Sequence, residues 1–139
     1  FFTGPGANVL AADEVIVKIR FPVPARGRGG HVKLGLRKGT SCTVASVAVW
    51  LVADKGRVQD IRIAFGGVAP TPRRLPNTEA GFRGQALDDE AITRLAGAAA
   101  GEIAPISDVR GSAEYRRRVS VNLLAKAVRA AAGLEDLEE

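Results

Sequence analysis

The sequence predicts an α+β fold, a small antiparallel sheet of about three strands with about three helices packed on one face. Two observations carry this. Apolar, β-branched runs fill the first half of the chain, and in the second half the apolar residues recur three and four apart, so strands come first and helices second. Two of the early runs meet at Asp54-Lys55-Gly56, a hairpin signature in which glycine supplies a positive φ.

The elements follow in order. Turn chemistry at Gly4, Pro5, Gly6 and Asn8 opens the chain. Val15, Val17 and Ile19 then alternate with Ile16, Lys18 and Arg20 until Pro22 and Pro24, which reads as a first strand of the sheet. The segment ARGRGGHVKLGLRKGTS, residues 25–41, is rich in glycine and basic residues and has no apolar period, so a loop is expected. The hairpin comes next. Its second strand alternates Val58, Ile61, Ile63 and Phe65 imperfectly with Arg57, Gln59, Asp60 and Arg62. Gly66-Gly67 closes that strand, where a tight turn or close packing calls for glycine.

In VAPTPRRLPNTEAGFRG the prolines forbid a regular strand, and Asn77-Thr78 is expected to cap a short helix ending at Gly84. LDDEAITRLAGAAAGEI starts with an aspartate cap and carries Ile92, Leu95, Ala96 and Ala99 on one helical face. From about Ala113 a third helix places Tyr115, Val119, Leu123, Ala127 and Ala131 at core spacing and stops at Gly133, and the acidic tail 133–139 is expected to fray.

Composition narrows the function classes. A chain of 139 residues with 46% hydrophobic and 25% charged residues is a folded globular domain, neither disordered nor fibrous. Cys42 is the sole cysteine, which excludes an intrachain disulfide and a cysteine metal cluster and fits a reducing, cytoplasmic compartment. His31 is the sole histidine, so a zinc site or a Ser-His-Asp triad within the chain is not expected, and the residue reads as solvated. The longest nearly apolar run, Val44 to Ala53, is about half of what a membrane helix needs, and no membrane span or signal peptide is expected. With no methionine and a bulky Phe1, the chain is expected to be a piece of a longer polypeptide.

The net charge of +5 admits a nucleic-acid reading, in which Arg26, Arg28, Lys33, Arg37 and Lys38 grip a phosphate backbone. Only 5% of residues are aromatic and the basic positions are scattered, so no stacking platform accompanies the charge. The stretch SDVRGSAEYRRR, residues 107–118, has a second explanation. Ser112 is a good helix N-cap, Glu114 sits in the first turn where the helix dipole favours an anion, and Asp108 and Arg110 are placed to pair. On this reading the stretch is a capped helix with a polar network at its entry, and its arginines serve the chain's own fold.

Four stretches resemble one family in its own order. PISDVRGSAEYRRRV is similar to the C-terminal segment of the flavin-binding subunit of molybdenum hydroxylases, the group that includes aerobic carbon monoxide dehydrogenase and xanthine dehydrogenase. RIAFGGVAPTPRR with EAGFRGQAL resembles that family's middle motif, KLGLRKGTSCTVASVAVWL its basic loop and following strand, and FFTGPGANVLAADEVIVKIRFP the segment leading into the domain.

The resemblance implies that residues 1–13 lead in from an N-terminal FAD-binding portion and that 14–132 form the subunit's C-terminal domain. It also implies an assembly with an iron–sulfur subunit and a large molybdopterin subunit. Electrons from the molybdenum centre would then pass through iron–sulfur clusters to FAD and on to an external acceptor. Lys33 matches the lysine of the family's K-x-G-x-R pattern and is assigned to the flavin wall, with Arg37 as a structural partner for an acid of the FAD portion or for Asp108. Cys42 stands where the family usually has an aliphatic residue, which leaves a backbone contact to the ring open and the thiol without an assigned role. Trp50 reads as core or as a subunit contact.

Overall fold

The structure is a computed structural model that describes residues 1–37 and 41–134. Its main body is a four-stranded antiparallel sheet in the order β3-β4-β5-β6, formed by β3 (Arg28–Gly35), β4 (Thr43–Asp54), β5 (Arg57–Gly66) and β6 (Arg73–Arg74). A separate two-stranded ribbon, β1 (Phe2–Gly4) with β2 (Ala7–Asn8), precedes it. Three helices follow: α1 (Pro76–Phe82), α2 (Asp89–Ala99) and α3 (Ala113–Ala132).

The hairpin is where the sequence places it. Lys55 and Gly56 both have positive φ, 48° and 72°, as a two-residue turn of the primed type requires. Ala45, Val47, Val49 and Leu51 of β4 and Val58, Ile61, Ile63 and Phe65 of β5 all point into one core. The imperfect alternation of β5 is a bulge. Val52 pairs with Asp60 but Ala53 pairs with Val58, so Gln59 is the extra residue and the apolar side chains on either side of it stay on the same face.

The first strand lies elsewhere than expected. Residues 15–20 have no regular structure, and the glycine-rich segment read as a loop supplies β3, paired with β4 from Arg28↔Leu51 to Gly35↔Thr43. Its glycines suit that place. A Cβ on Gly30 would lie 2.2 Å from the Ala127 carbonyl oxygen, so this glycine lets the α3 backbone rest directly on the sheet.

The helices cover one face. α3 lies on β3 and β4, α1 on β5, and α2 packs on α1 and α3. Helix α2 is capped by Asp88, whose side chain accepts from Ala91 N at 2.8 Å, and it buries Ile92, Leu95, Ala96 and Ala99 as predicted. Helix α1 departs from prediction, because Asn77 and Thr78 lie inside its first turn and do not cap it. Their backbone N–H groups instead donate to the Glu102 carboxylate, some 25 residues on, at 3.3 and 2.6 Å. Glu79 of α1 is buried and accepts from Ile63 N (2.8 Å) and from both ends of the Arg74 fork (2.8 and 2.7 Å), closing the edge of β5. Burial alone would raise the Glu79 pKa, but these hydrogen bonds outweigh it and hold the carboxyl below its ordinary value.

Helix α3 is capped by Ser112, which accepts from Tyr115 N at 3.1 Å, and ends at Gly133 in the left-handed conformation. Its buried stripe is Arg116, Ser120, Leu124, Ala127, Val128 and Ala131. Only Ala127 and Ala131 of the expected core positions belong to it. Val119 and Leu123 are partly buried and Tyr115 is exposed, because an arginine and a serine hold the interior positions at the start of the helix. Trp50 lies on the sheet face opposite the helices and is half-buried.

Candidate functional site

Two of the sequence motifs converge at one end of the sheet. Leu36, Arg37, Ser41 and Cys42, from the connection between β3 and β4, face Asp108, Val109 and Arg110 across an open recess of about 730 Å3. This is within the range of small-molecule sites. Two other hollows, of about 430 and 600 Å3, lie between α1 and α2 and beside the far end of β4, away from both motifs.

The recess owes its far wall to a network around Asp108. A tight turn joins Asp108 and Gly111 by reciprocal backbone hydrogen bonds of 3.1 Å, and Gly111 has φ 155°, a positive value that residues with a side chain rarely adopt. The Asp108 carboxylate accepts from Arg110 N (2.8 Å) and Arg110 Nε (3.0 Å), and from the Arg116 guanidinium. The hydrogen bonds from Arg110, then the charge and hydrogen bond of Arg116, hold its pKa far below the carboxylate range. Asp108 in turn raises the Arg110 pKa, and Cys42 adds to that in smaller measure. Arg110 therefore stands as a fixed cation beside Cys42.

Arg116 ties this turn to the sheet. Only 2% of it is exposed, and its Nη1 donates to the carbonyls of Val44 (3.1 Å) and Gly67 (2.8 Å). These residues lie at the start of β4 and just past the end of β5. Gly67 has φ 77°, and a Cβ there would come within 2.9 Å of the Val44 carbonyl oxygen, so packing explains this glycine. One buried guanidinium thus joins three segments that are remote in sequence.

The predicted site residues fall in two places. Cys42 is exposed on the recess wall. Lys33 is also exposed but lines the neighbouring sheet face, two residues before β3 ends, and is not part of the recess. Lys33, Ser46 and Gly66 form one row across the strands, and His31, Ala48 and Ala64 the next, a floor of small side chains with Lys33 and His31 along its edge. Arg37 lines the recess, whereas the partners of Asp108 are Arg110 and Arg116. Lys38 lies outside the described residues. The sequence reading missed Arg116 as the organiser of the site. Its signal was a run of three arginines inside an otherwise amphipathic helix.

The helix N-termini are taken. Glu102 occupies that of α1, Asp88 that of α2 and Ser112 that of α3, so among the described residues no free N-terminus offers a phosphate cradle. The arrangement suits one wall of a site for a flat, partly polar group, with fixed cations at its rim, and does not close around a ligand. No group of three or more histidine, cysteine, aspartate or glutamate residues is placed to hold a metal among the described residues.

Residues 31–131 match the family described as CO dehydrogenase flavoprotein C-terminal domain. The chain belongs to that family. This flavoprotein C-terminal domain is 35% identical over 128 residues to the nicotine 6-hydroxylase medium subunit of Paenarthrobacter nicotinovorans, covering 91% of this chain and 44% of that one. It is 34% identical over 131 residues to the carbon monoxide dehydrogenase medium chain of Hydrogenophaga pseudoflava, covering 94% and 46%. Among solved structures, the domain superposes on quinoline 2-oxidoreductase from Pseudomonas putida 86 with a TM-score of 0.88 at 26% identity, covering 96% of this chain and 47% of that chain. Carbon monoxide dehydrogenase from Hydrogenophaga pseudoflava gives 0.83 at 35% identity, covering 96% and 47%. The domain spans about half the length of these relatives. None of its described helices is long and apolar enough to cross a membrane.

Proposed function

We propose that the chain is the C-terminal part of the FAD-binding subunit of a molybdenum hydroxylase and forms one wall of its flavin site. The observation that carries this is the meeting of Leu36, Arg37, Ser41 and Cys42 of one family motif with Asp108, Val109 and Arg110 of another at one recess rimmed by Arg37 and Arg110. The relatives' names support it, since they are medium chains and FAD-binding subunits of such enzymes. Nothing among them supports the nucleic-acid alternative.

FAD, when bound, would receive electrons from iron–sulfur clusters and pass them to an external acceptor. This chain's residues shape its surroundings. Lys33 puts a positive charge at the edge of the small-residue floor, where it favours an electron-rich ring. Cys42 brings backbone and a small side chain to the recess wall. Asp108 keeps Arg110 aimed and partly neutralised, and Arg116 keeps Asp108 in place. On this reading the cofactor's pyrophosphate falls to an N-terminal FAD-binding portion, since the three helix N-termini here have partners of their own. The partners on this reading are that portion, an iron–sulfur subunit and a large molybdopterin subunit, in the cytoplasm.

The test is a polypeptide that includes the N-terminal portion. It is expected to be yellow, and Lys33→Gln is expected to lower the flavin reduction potential, because removing a nearby cation disfavours the reduced ring. Cys42→Ser should leave the spectrum intact. A correctly folded full-length protein that takes up no FAD would overturn the reading. A Lys33→Gln protein with unchanged potential and unchanged FAD affinity would remove Lys33 from the site.

A further inference from the structure

Helix α3 ends beside a recess that holds two cations. Arg26 and Arg28 line it together with Leu51, Val52, Ala131 and Ala132, around a hollow of about 600 Å3. Both arginines are exposed, and neither guanidinium makes an ion pair or a hydrogen bond among the described residues. The Arg28 cation lies over the residue where the chain leaves α3, since a Cβ on Gly133 would run into its guanidinium. The exit itself is fixed. Gly133 is left-handed with φ 73°, and Gly133 N and Leu134 N turn back to donate to the carbonyls of Ala130 (3.0 Å) and Arg129 (2.9 Å).

The chain goes on as Glu135, Asp136, Leu137, Glu138 and Glu139, which lie outside the described residues. Four carboxylates in five residues repel one another, and they follow the negative end of a 20-residue helix, whose dipole disfavours them further. Such a run calls for cations close by. Arg129 of the last turn is engaged with Asp89 at 2.8 Å, so the nearest cations that the described residues leave unengaged are Arg28 and Arg26. The reach suffices. An extended residue spans up to about 3.5 Å, which puts the Cα atoms of Glu135 and Asp136 within about 7 and 11 Å of that of Gly133, and their side chains close the rest.

We propose that the acidic tail, residues 135–139, is the occupant of this recess. The carboxylates of Glu135 and Asp136 pair with Arg28 and Arg26, and Leu137 covers the apolar wall of Val52, Ala131 and Ala132. Asp54 on the rim is like-charged and keeps the tail to the arginine side. Composition alone leaves this tail frayed, and the recess supplies what composition does not show, a complementary place within reach. The tail then acts as a clasp between the start of β3 and the end of α3. Because it is tethered at the recess its effective concentration there is high, and exposed charge pairs of ordinary strength are enough to hold it. Because those pairs are exposed, salt loosens them.

The clasp is independent of the flavin reading, and its test needs no cofactor. Backbone order parameters are measured by nuclear magnetic resonance relaxation in the 139-residue chain. At low ionic strength Glu135 and Asp136 are expected to lie above about 0.6, the value below which backbone is flexible. Arg26→Gln with Arg28→Gln should bring both below it while the far-ultraviolet circular dichroism stays that of the parent, because both arginines are exposed. Sodium chloride at about 0.5 M should do the same. Arg117→Gln with Arg118→Gln removes equal charge at the opposite end of α3 and should leave the tail ordered. From the other side, Glu135→Gln with Asp136→Asn should shift the side-chain Nε–H signals of Arg26 and Arg28. A parent tail that is flexible at low salt would overturn the proposal, and so would a tail whose order survives the loss of both arginines. Order that appears only as the protein concentration rises would overturn it as well, since the tail would then be binding a second copy.

Discussion

Arg116→Met tests whether one buried guanidinium holds the sheet, the helix and the recess together. Methionine refills most of the stem's volume, so the loss of packing is small. What remains is two carbonyls, Val44 O and Gly67 O, without the donor that reached them at 3.1 and 2.8 Å. A buried acceptor left without a partner costs about 1–3 kcal/mol, and the Gly67 carbonyl, at an exposed residue, belongs at the low end. The expected loss is about 2–4 kcal/mol, or roughly 6–20 °C in the melting midpoint of a domain this size. Asp108 keeps its pair with Arg110 in the variant and adds no stranded charge. The assay is thermal and urea unfolding by far-ultraviolet circular dichroism, with Arg117→Met as the control, because Arg117 is exposed and its loss should stay within about 0.5 kcal/mol. An Arg116→Met protein within 1 kcal/mol of the parent, or an Arg117→Met protein that falls as far, would refute the clamp.

Gly30→Ala places a Cβ 2.2 Å from the Ala127 carbonyl oxygen, so α3 must lift off the sheet, and a loss of about 2 kcal/mol or more is expected in the same unfolding assay. Gly29→Ala is its matched control, since a Cβ there would meet the Trp50 ring at an ordinary 3.6 Å. Acid stability follows from the lowered carboxyls Asp108, Glu79 and Glu102. Each has a folded pKa below its unfolded one, so its contribution is full above the ordinary carboxylate range and is lost as pH falls through the folded value. Urea midpoints should be level near neutral pH and drop below about pH 4, and Asp108→Asn should flatten that drop.

The hairpin, the α2 stripe and the caps at Asp88 and Ser112 were legible in the sequence because each is a local signal completed within a few residues. The errors share a different cause. Val15 to Ile19 carry a strand pattern, but a local pattern supplies no pairing partner, and residues 15–20 have no regular structure. Gly30 interrupts the apolar period of β3, and it is there because the backbone of α3 presses on it, a contact made across about 100 residues. In α3 the apolar period pointed one position away from the true stripe, because Arg116 and Ser120 are interior without being apolar. The meeting of Leu36, Arg37, Ser41 and Cys42 with Asp108, Val109 and Arg110 leaves no local signal in the sequence, and neither does the separation of Lys33 from the recess.

Of the three consecutive arginines only Arg116 is buried, and its neighbours show why. Arg117 is exposed, and Arg118 rests over the Tyr115 ring at 5.9 Å, so both stay on the outer side of the helix. Toward its C-terminal end α3 meets the sheet through Gly30, Ala127 and Ala131, and these small residues set how closely the helix can approach. At its N-terminal end the donors of Arg116 bind two carbonyls and one carboxylate, and their fixed directions set how far the helix can rotate. Closeness is decided at one end and rotation at the other. The Asp108 turn is attached at the end where rotation is decided, so loosening Arg116 must displace Arg110 from Cys42 as well as lower stability. Substitutions that relax Gly30 should instead cost stability while leaving the recess intact. A flavin-bound protein carrying each substitution in turn distinguishes the two, by the reduction potential as well as by the melting midpoint.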